Sequence, residues 1–212
     1  MFQNKKGLFI SFEGADGTGK TTQIKLLSKR LSDSGRKVHV TREPGGSDLA
    51  ENIRQTLKAN PQLDNITELL LIFAARRSHF VETITPLLNE GYIIISDRFY
   101  DSSLIYQGIL KNVPIEQIMF LKQMVMNDFE PDLTFILDMS AEAAVARVQS
   151  RKLTGVDAYD EMSVESYEKV RQGFLNLAKI FNDRAYVINA EGSKNTVSSK
   201  ILKIIKRTFV FL

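Results

Sequence analysis

"LFISFEGADGTGKTTQ", residues 8–23, is the stretch that decides the fold. Leu8–Glu13 is a short apolar run that reads as a strand, and a helix is expected from about 20 to 34. Between them runs Gly14-x-x-x-x-Gly19-Lys20-Thr21. That spacing, placed between a strand and a helix, grips the phosphate chain of ATP or GTP. Gly17 and Gly19 let backbone N–H groups turn inward around anionic oxygens, and the helix that follows offers its positive end. Lys20 is placed to reach the β- and γ-phosphates, and the Thr21 hydroxyl to ligate Mg²⁺. The candidates for triphosphate binding are therefore Gly14, Ala15, Asp16, Gly17, Thr18 and Gly19, with Lys20, Thr21 and Thr22.

Outward from this point, short apolar runs alternate with longer amphipathic ones. Strands are expected at 8–13, 38–41, 93–96, 133–138 and 186–190. Their β-branched character suits a parallel sheet buried on both faces. Helices are expected at about 20–34, 47–59, 64–90, 114–128, 140–152, 163–182 and 195–208. Gly35 is the expected stop of the first, and Val197, Ile201 and Ile204 mark the buried face of the last. The alternation predicts a doubly wound α/β fold with right-handed crossovers. With 212 residues and no repeat or linker, one domain is expected. The polar stretch 150–162 reads as a mobile surface loop.

Two further motifs fall where strands end. "IIISDRFYDSS" puts Asp97 at the carboxyl end of a strand, the edge where ligands bind in such sheets. Asp97 is a candidate Mg²⁺ ligand, directly or through water, and Arg98 a bidentate phosphate holder. "TREPGGSDLAENIR" follows the second strand, with Ser47 or Asp48 able to cap the next helix and Arg42 and Arg54 bracketing the turn. Arg147 and Arg151 are four apart at a helix end, either on a solvated face or reaching toward transferred phosphate. His39 and His79 have no cysteine or third histidine near them and read as structural.

Composition bounds the rest. Hydrophobic residues make up 43% and charged residues 25%, as in ordinary soluble proteins. There is no cysteine, which excludes disulfides and thiolate metal sites and fits a cytoplasmic location. The N-terminal apolar run is too short for a signal peptide or membrane span. A formal charge of +3 suits an enzyme of anionic substrates, and no nucleic-acid partner is expected.

Taken together, "FEGADGTGKTTQ", "TREPGG", "FAARRSH", "SDRFYDSSLIYQG" and "PDLTFILD" resemble bacterial thymidylate kinases in order and spacing, over essentially the whole chain. The resemblance implies a P-loop kinase fold with a five-stranded parallel sheet, helices on both faces and a lid segment about 147–162. It implies transfer of the γ-phosphoryl group of ATP to dTMP, giving dTDP and ADP with Mg²⁺. It also implies a homodimer, with the helices around 64–90 and 114–128 as the candidate contact.

Position by position, Asp16 matches a carboxylate near the sugar 3′-hydroxyl, and Arg54 and Arg98 match arginines on the dTMP phosphate. Arg76 matches the arginine that hydrogen-bonds thymine. Ser103, Tyr106 and Gln107 match positions lining base and sugar. The phosphate loop has no arginine, so the resemblance places the compensating charge in the lid, on Arg147 or Arg151. Two positions depart from the family pattern. Ile72, with Phe73 next to it, stands where the base-stacking Phe is usual, and Ala158 stands where many lids carry an arginine. The alternative reading is another nucleoside monophosphate or deoxynucleoside kinase. A GTPase would want an Asn-Lys-x-Asp motif after a strand, which is absent. An ATP-dependent nucleic-acid module would want an acidic base where Arg98 stands.

Overall fold

The computed structural model describes residues 6–152 and 163–209, with side chains for 6–150 and 163–209. Five strands, β1 (Leu8–Glu13), β2 (Val38–Arg42), β3 (Ile93–Asp97), β4 (Leu133–Asp138) and β5 (Ala185–Asn189), form one sheet in the order β2-β3-β1-β4-β5. Every neighbouring pair is parallel, so all five carboxyl ends lie along one edge. In β1, β3 and β4 nearly every residue is buried; since successive side chains point to opposite faces, both faces are covered. The edge strands differ from the expectation of double burial. Val40 in β2 and Val187 in β5 are exposed, because an edge strand has only partial cover.

Helix α1 (Lys20–Asp33) starts directly from the glycine loop and packs on β1, β2 and β3. It ends as expected, with Gly35 at φ 82° just beyond its cap, where the left-handed backbone is free of a Cβ clash. Helix α2 (Asp48–Ala59) is capped by Ser47, whose side chain accepts from the Ala50 N–H. The expected helix 64–90 is not uniform. It divides into α3 (Asn65–His79), a π-helical turn at 80–84, and α4 (Thr85–Asn89) with Pro86 in its first turn. The stripe Leu69-Phe73-Phe80-Ile84 is buried throughout.

Helical structure missing from the sequence reading follows β3: α5 (Tyr100–Ser103) and a second π-helical turn at 104–110. Beyond it come α6 (Ile115–Met126), α7 (Ala141–Lys152), α8 (Val164–Ile180) and α9 (Lys194–Thr208). In α9 the buried stripe is Val197-Ile201-Ile205, while Ile204 is only partly covered. Residues 153–162, most of the expected lid, lie outside the described residues, as does the Arg151 side chain.

Short α5 is anchored from below. Buried Arg184 donates to both oxygens of Asp101 at 2.7 and 2.8 Å, to Thr134 Oγ1 at 2.7 Å and to the Tyr100 hydroxyl at 2.8 Å. A charge pair this deep stands only when its hydrogen bonds are met, and here it ties α5 to the β4–β5 side of the sheet.

Candidate active site

The glycine loop wraps Lys20. Its Nζ donates to the carbonyls of Gly14 and Ala15, both at 3.0 Å, and lies 3.5 Å from Asp16 Oδ1. Burial, and then the nearby Arg98, push the ammonium below its ordinary pKa. The loop cannot move far from its neighbours. Gly17 has φ 86°, and a Cβ there would fall 2.4 Å from the Ala144 carbonyl oxygen. Thr18 closes the turn by donating from Oγ1 to the Ala15 carbonyl at 2.8 Å. Thr21 Oγ1 donates to Asp97 Oδ2 at 3.0 Å, which joins the start of α1 to the end of β3.

Arg98 is the centre of the second half. Its backbone has φ 71°, a left-handed conformation that costs a residue with a side chain about 1–2 kcal/mol. Two contacts hold it there: its N–H donates to the Phe12 carbonyl at 2.9 Å, and Ser96 Oγ donates to its carbonyl at 2.6 Å. The guanidinium then reaches Asp16 Oδ1 at 2.7 Å, the Gly14 carbonyl at 3.1 Å and Ser102 Oγ at 3.1 Å. It also lies 4.9 Å from the centre of the Tyr106 ring. Although burial works the other way, Arg98 and then Lys20 hold the Asp16 carboxyl far below the usual carboxylate range.

Glu13, the last residue of β1, is wholly buried beneath this corner. It accepts from the Phe99 N–H at 2.7 Å and from Ser102 Oγ at 2.6 Å. Burial first, and the Asp101 charge second, push its carboxyl up to about 8.

A third group lies between the ends of β2 and β3. Arg76, 2% exposed, donates from Nε to Glu43 Oε2 at 2.6 Å and from both terminal nitrogens to Ser103 Oγ at 3.2 Å. Its guanidinium lies 4.5 Å from the centre of the Phe73 ring and 5.9 Å from that of Phe99. His79 puts Nδ1 3.0 Å from Glu43 Oε1 and Nε2 2.8 Å from Thr41 Oγ1. A carboxylate only accepts, so Nδ1 carries the proton, and Nε2 exchanges a hydrogen bond with Thr41 Oγ1. Arg54 donates to the Pro44 carbonyl at 2.8 Å, on the same turn as Glu43.

The sequence-derived candidates Lys20, Asp16, Arg98, Ser103, Arg76 and Arg54 thus fall into one run along the sheet edge, linked by Ser102 and Glu43. Gln107 is buried one helical turn beyond Ser103 and donates to Glu68 at 2.8 Å, while Lys111 takes the other Glu68 oxygen. Ile72 is half-buried on α3, four residues before Arg76. Arg147 stands apart, exposed on α7. Sequence reasoning passed over Glu13, Glu43, Ser102 and Tyr167. Glu43 lay inside a quoted motif, and Glu13 was visible as a charge closing an apolar strand. Tyr167, on α8, is buried and close enough to feel the charges of Asp16 and Arg98; it had no sequence signal.

A glycine loop feeding α1, a Thr–Asp pair across the sheet edge and a line of arginines beyond it define a nucleotide phosphotransferase of the P-loop kinase class. The thymidylate kinase family model matches residues 12–201. A thymidylate kinase of Geobacillus sp. (strain WCH70) is 43% identical, with 87% of this chain and 89% of the relative covered. One of Ligilactobacillus salivarius (strain UCC118) is 38% identical over 94% and 98%. The crystal structure of thymidylate kinase from Ehrlichia chaffeensis superposes with TM-score 0.78 at 37% identity, covering 94% of this chain and 98% of that one. The chain belongs to the thymidylate kinase family.

Proposed function

We propose that this chain transfers the γ-phosphoryl group of ATP to dTMP, giving dTDP and ADP. The observation that carries the reading is Asp16, which touches both Lys20 of the triphosphate loop and Arg98 of the adjoining arginine line. Two cationic sites therefore meet at one carboxylate, as donor and acceptor phosphates must meet in a transfer. The acceptor is a phosphate monoester, largely a dianion at neutral pH, so no general base is required. The work left to the protein is alignment and charge neutralisation. Lys20 takes the β- and γ-phosphates, Arg98 and Arg54 take the dTMP phosphate, and Arg76 takes the base, with Ser103, Tyr106 and Gln107 lining it.

The paired oxygens of Thr21 and Asp97 suit Mg²⁺, which keeps several waters and takes one or two protein oxygens beside substrate phosphates. There the ion would neutralise charge on the transferring group. Arg147 and Arg151 belong to the proposed lid segment, about 147–162, which would exclude water and add positive charge on closing.

A second copy of the chain is the proposed partner, through α3 and α6. Leu70 (52% exposed), Phe120 (66%) and Met124 (59%) present an apolar surface there. Among the described residues no helix is long and apolar enough to cross a membrane.

A coupled assay of ADP release across dTMP, dUMP, dCMP, dGMP, AMP and thymidine tests the function. Preference for dTMP is expected; preference for a nucleoside or a purine nucleotide would overturn it.

A further inference from the structure

We propose that Glu43 is a positioning residue that, with His79, aims Arg76 and so sets which base the site accepts. The inference rests on the reading of Arg76 as the base-contacting residue.

The geometry is that of a clamp. Glu43 is buried at the carboxyl end of β2, where its two oxygens divide their work: Oε2 takes Arg76 Nε, and Oε1 takes His79 Nδ1. Both partners come from α3, three residues apart on one face. His79 is fixed in turn by Thr41 on its other nitrogen. The turn after Glu43 closes tightly over this ring. Gly46 has φ 85°, and a Cβ there would lie 2.3 Å from His79 Nε2. Phe73 covers one face of the guanidinium. Burial opposes ionisation of Glu43, but Arg76 and His79 keep its carboxyl below its ordinary range.

The consequence lies in the donor count. A guanidinium has five N–H groups. Among the described residues, Glu43 takes one, and Ser103 takes one from each terminal nitrogen. Two remain, aimed by the clamp rather than by the arginine's own rotamers. Donors fixed on a buried guanidinium accept a ring carbonyl and reject an amino group at the same position. A thymine oxo group fits; the amino group of cytosine does not. With the clamp loosened, a flexible arginine would lose that discrimination while phosphate transfer, handled elsewhere, suffered less.

The test is steady-state kinetics of Glu43→Gln with dTMP and dCMP, alongside ATP titrations and melting curves. The carboxamide keeps the shape of Glu43 but turns one acceptor into a donor that opposes Arg76 or His79. The expected result is a rise of about tenfold or more in KM for dTMP, and a smaller change in kcat. The preference for dTMP over dCMP in kcat/KM should fall about tenfold, with KM for ATP nearly unmoved. His79→Leu removes the second partner at similar volume and serves if Glu43→Gln does not fold; a fall of about threefold in the same preference is expected, with His79→Gln restoring it.

A folded variant with the wild-type dTMP-to-dCMP preference overturns the inference. So does a parallel loss of ATP and dTMP parameters at constant preference, which would assign the pair to packing alone. If wild-type protein itself shows no preference for dTMP, the functional reading fails, and the failure is seen before any variant is made.

Discussion

Glu13 illustrates what one buried group does to the behaviour of the chain. Its carboxyl is pushed up to about 8, mainly by burial, while an unfolded chain would titrate it in the ordinary range near 4. The native state therefore holds a proton that the unfolded state releases between those values. Its stabilising share is complete below the unfolded value and is lost as pH rises through about 8. Glu13→Gln, neutral at every pH, should remove this slope, which is at most about 1.4 kcal/mol per pH unit. Chemical unfolding at pH 6, 7 and 8.5 checks it: wild type should lose stability relative to the variant as pH rises. A constant difference across that range would show that Glu13 does not carry the titration.

At the scale of the element, α3 carries Ile72, Phe73 and Arg76, the residues proposed to meet the base. The sequence left Phe73 open between core and base pocket, and in the structure it is 1% exposed. Periodicity could not reveal that its ring lies under Arg76 as well. The expected outcome for Phe73→Ala is thus double. Stability should fall by about 3–5 kcal/mol, the usual cost of emptying a buried ring site. Affinity for dTMP should also fall, through Arg76, by up to about tenfold, since the ring–guanidinium contact contributes about 0.5–2 kcal/mol. Ile72→Phe should tighten dTMP binding by at most about tenfold, because an aromatic face adds stacking that an aliphatic one lacks. Calorimetric dTMP affinity and unfolding midpoints for both variants measure these effects. Unchanged affinity in Phe73→Ala would confine that ring to the core, and weaker binding in Ile72→Phe would place position 72 away from the base.

The five strands and the glycine loop were legible because their signals are local: apolar runs, spacing and turn residues. The π-helical turns at 80–84 and 104–110 were not, since one extra residue per turn scarcely alters an apolar pattern. Nor were the ion pairs. Arg184 and Asp101 are 83 residues apart, and only the folded sheet brings them together.

For the whole molecule, the proposed dimer is tested at the exposed apolar side chains of α3 and α6. Phe120→Glu combined with Met124→Lys should convert a dimer to a monomer of half the mass by light scattering, with the circular dichroism spectrum kept. Wild-type protein already monomeric at micromolar concentration would remove that surface from the assembly.

The formal charge of the chain is +3, and Lys20 and Arg98 stand close together among its cations. Left open, such a pair would scavenge any small anion it met, inorganic phosphate above all. Asp16 contacts both at once and offsets one of the two charges, so an incoming ligand must compete with a tethered carboxylate. A lone phosphate offers too little for that exchange; a nucleotide, with its base and sugar also held, offers more. The expected consequence is discrimination by Asp16 against small anions such as inorganic phosphate. Asp16→Asn should remove that discrimination, with inorganic phosphate becoming an inhibitor at concentrations the wild-type protein tolerates.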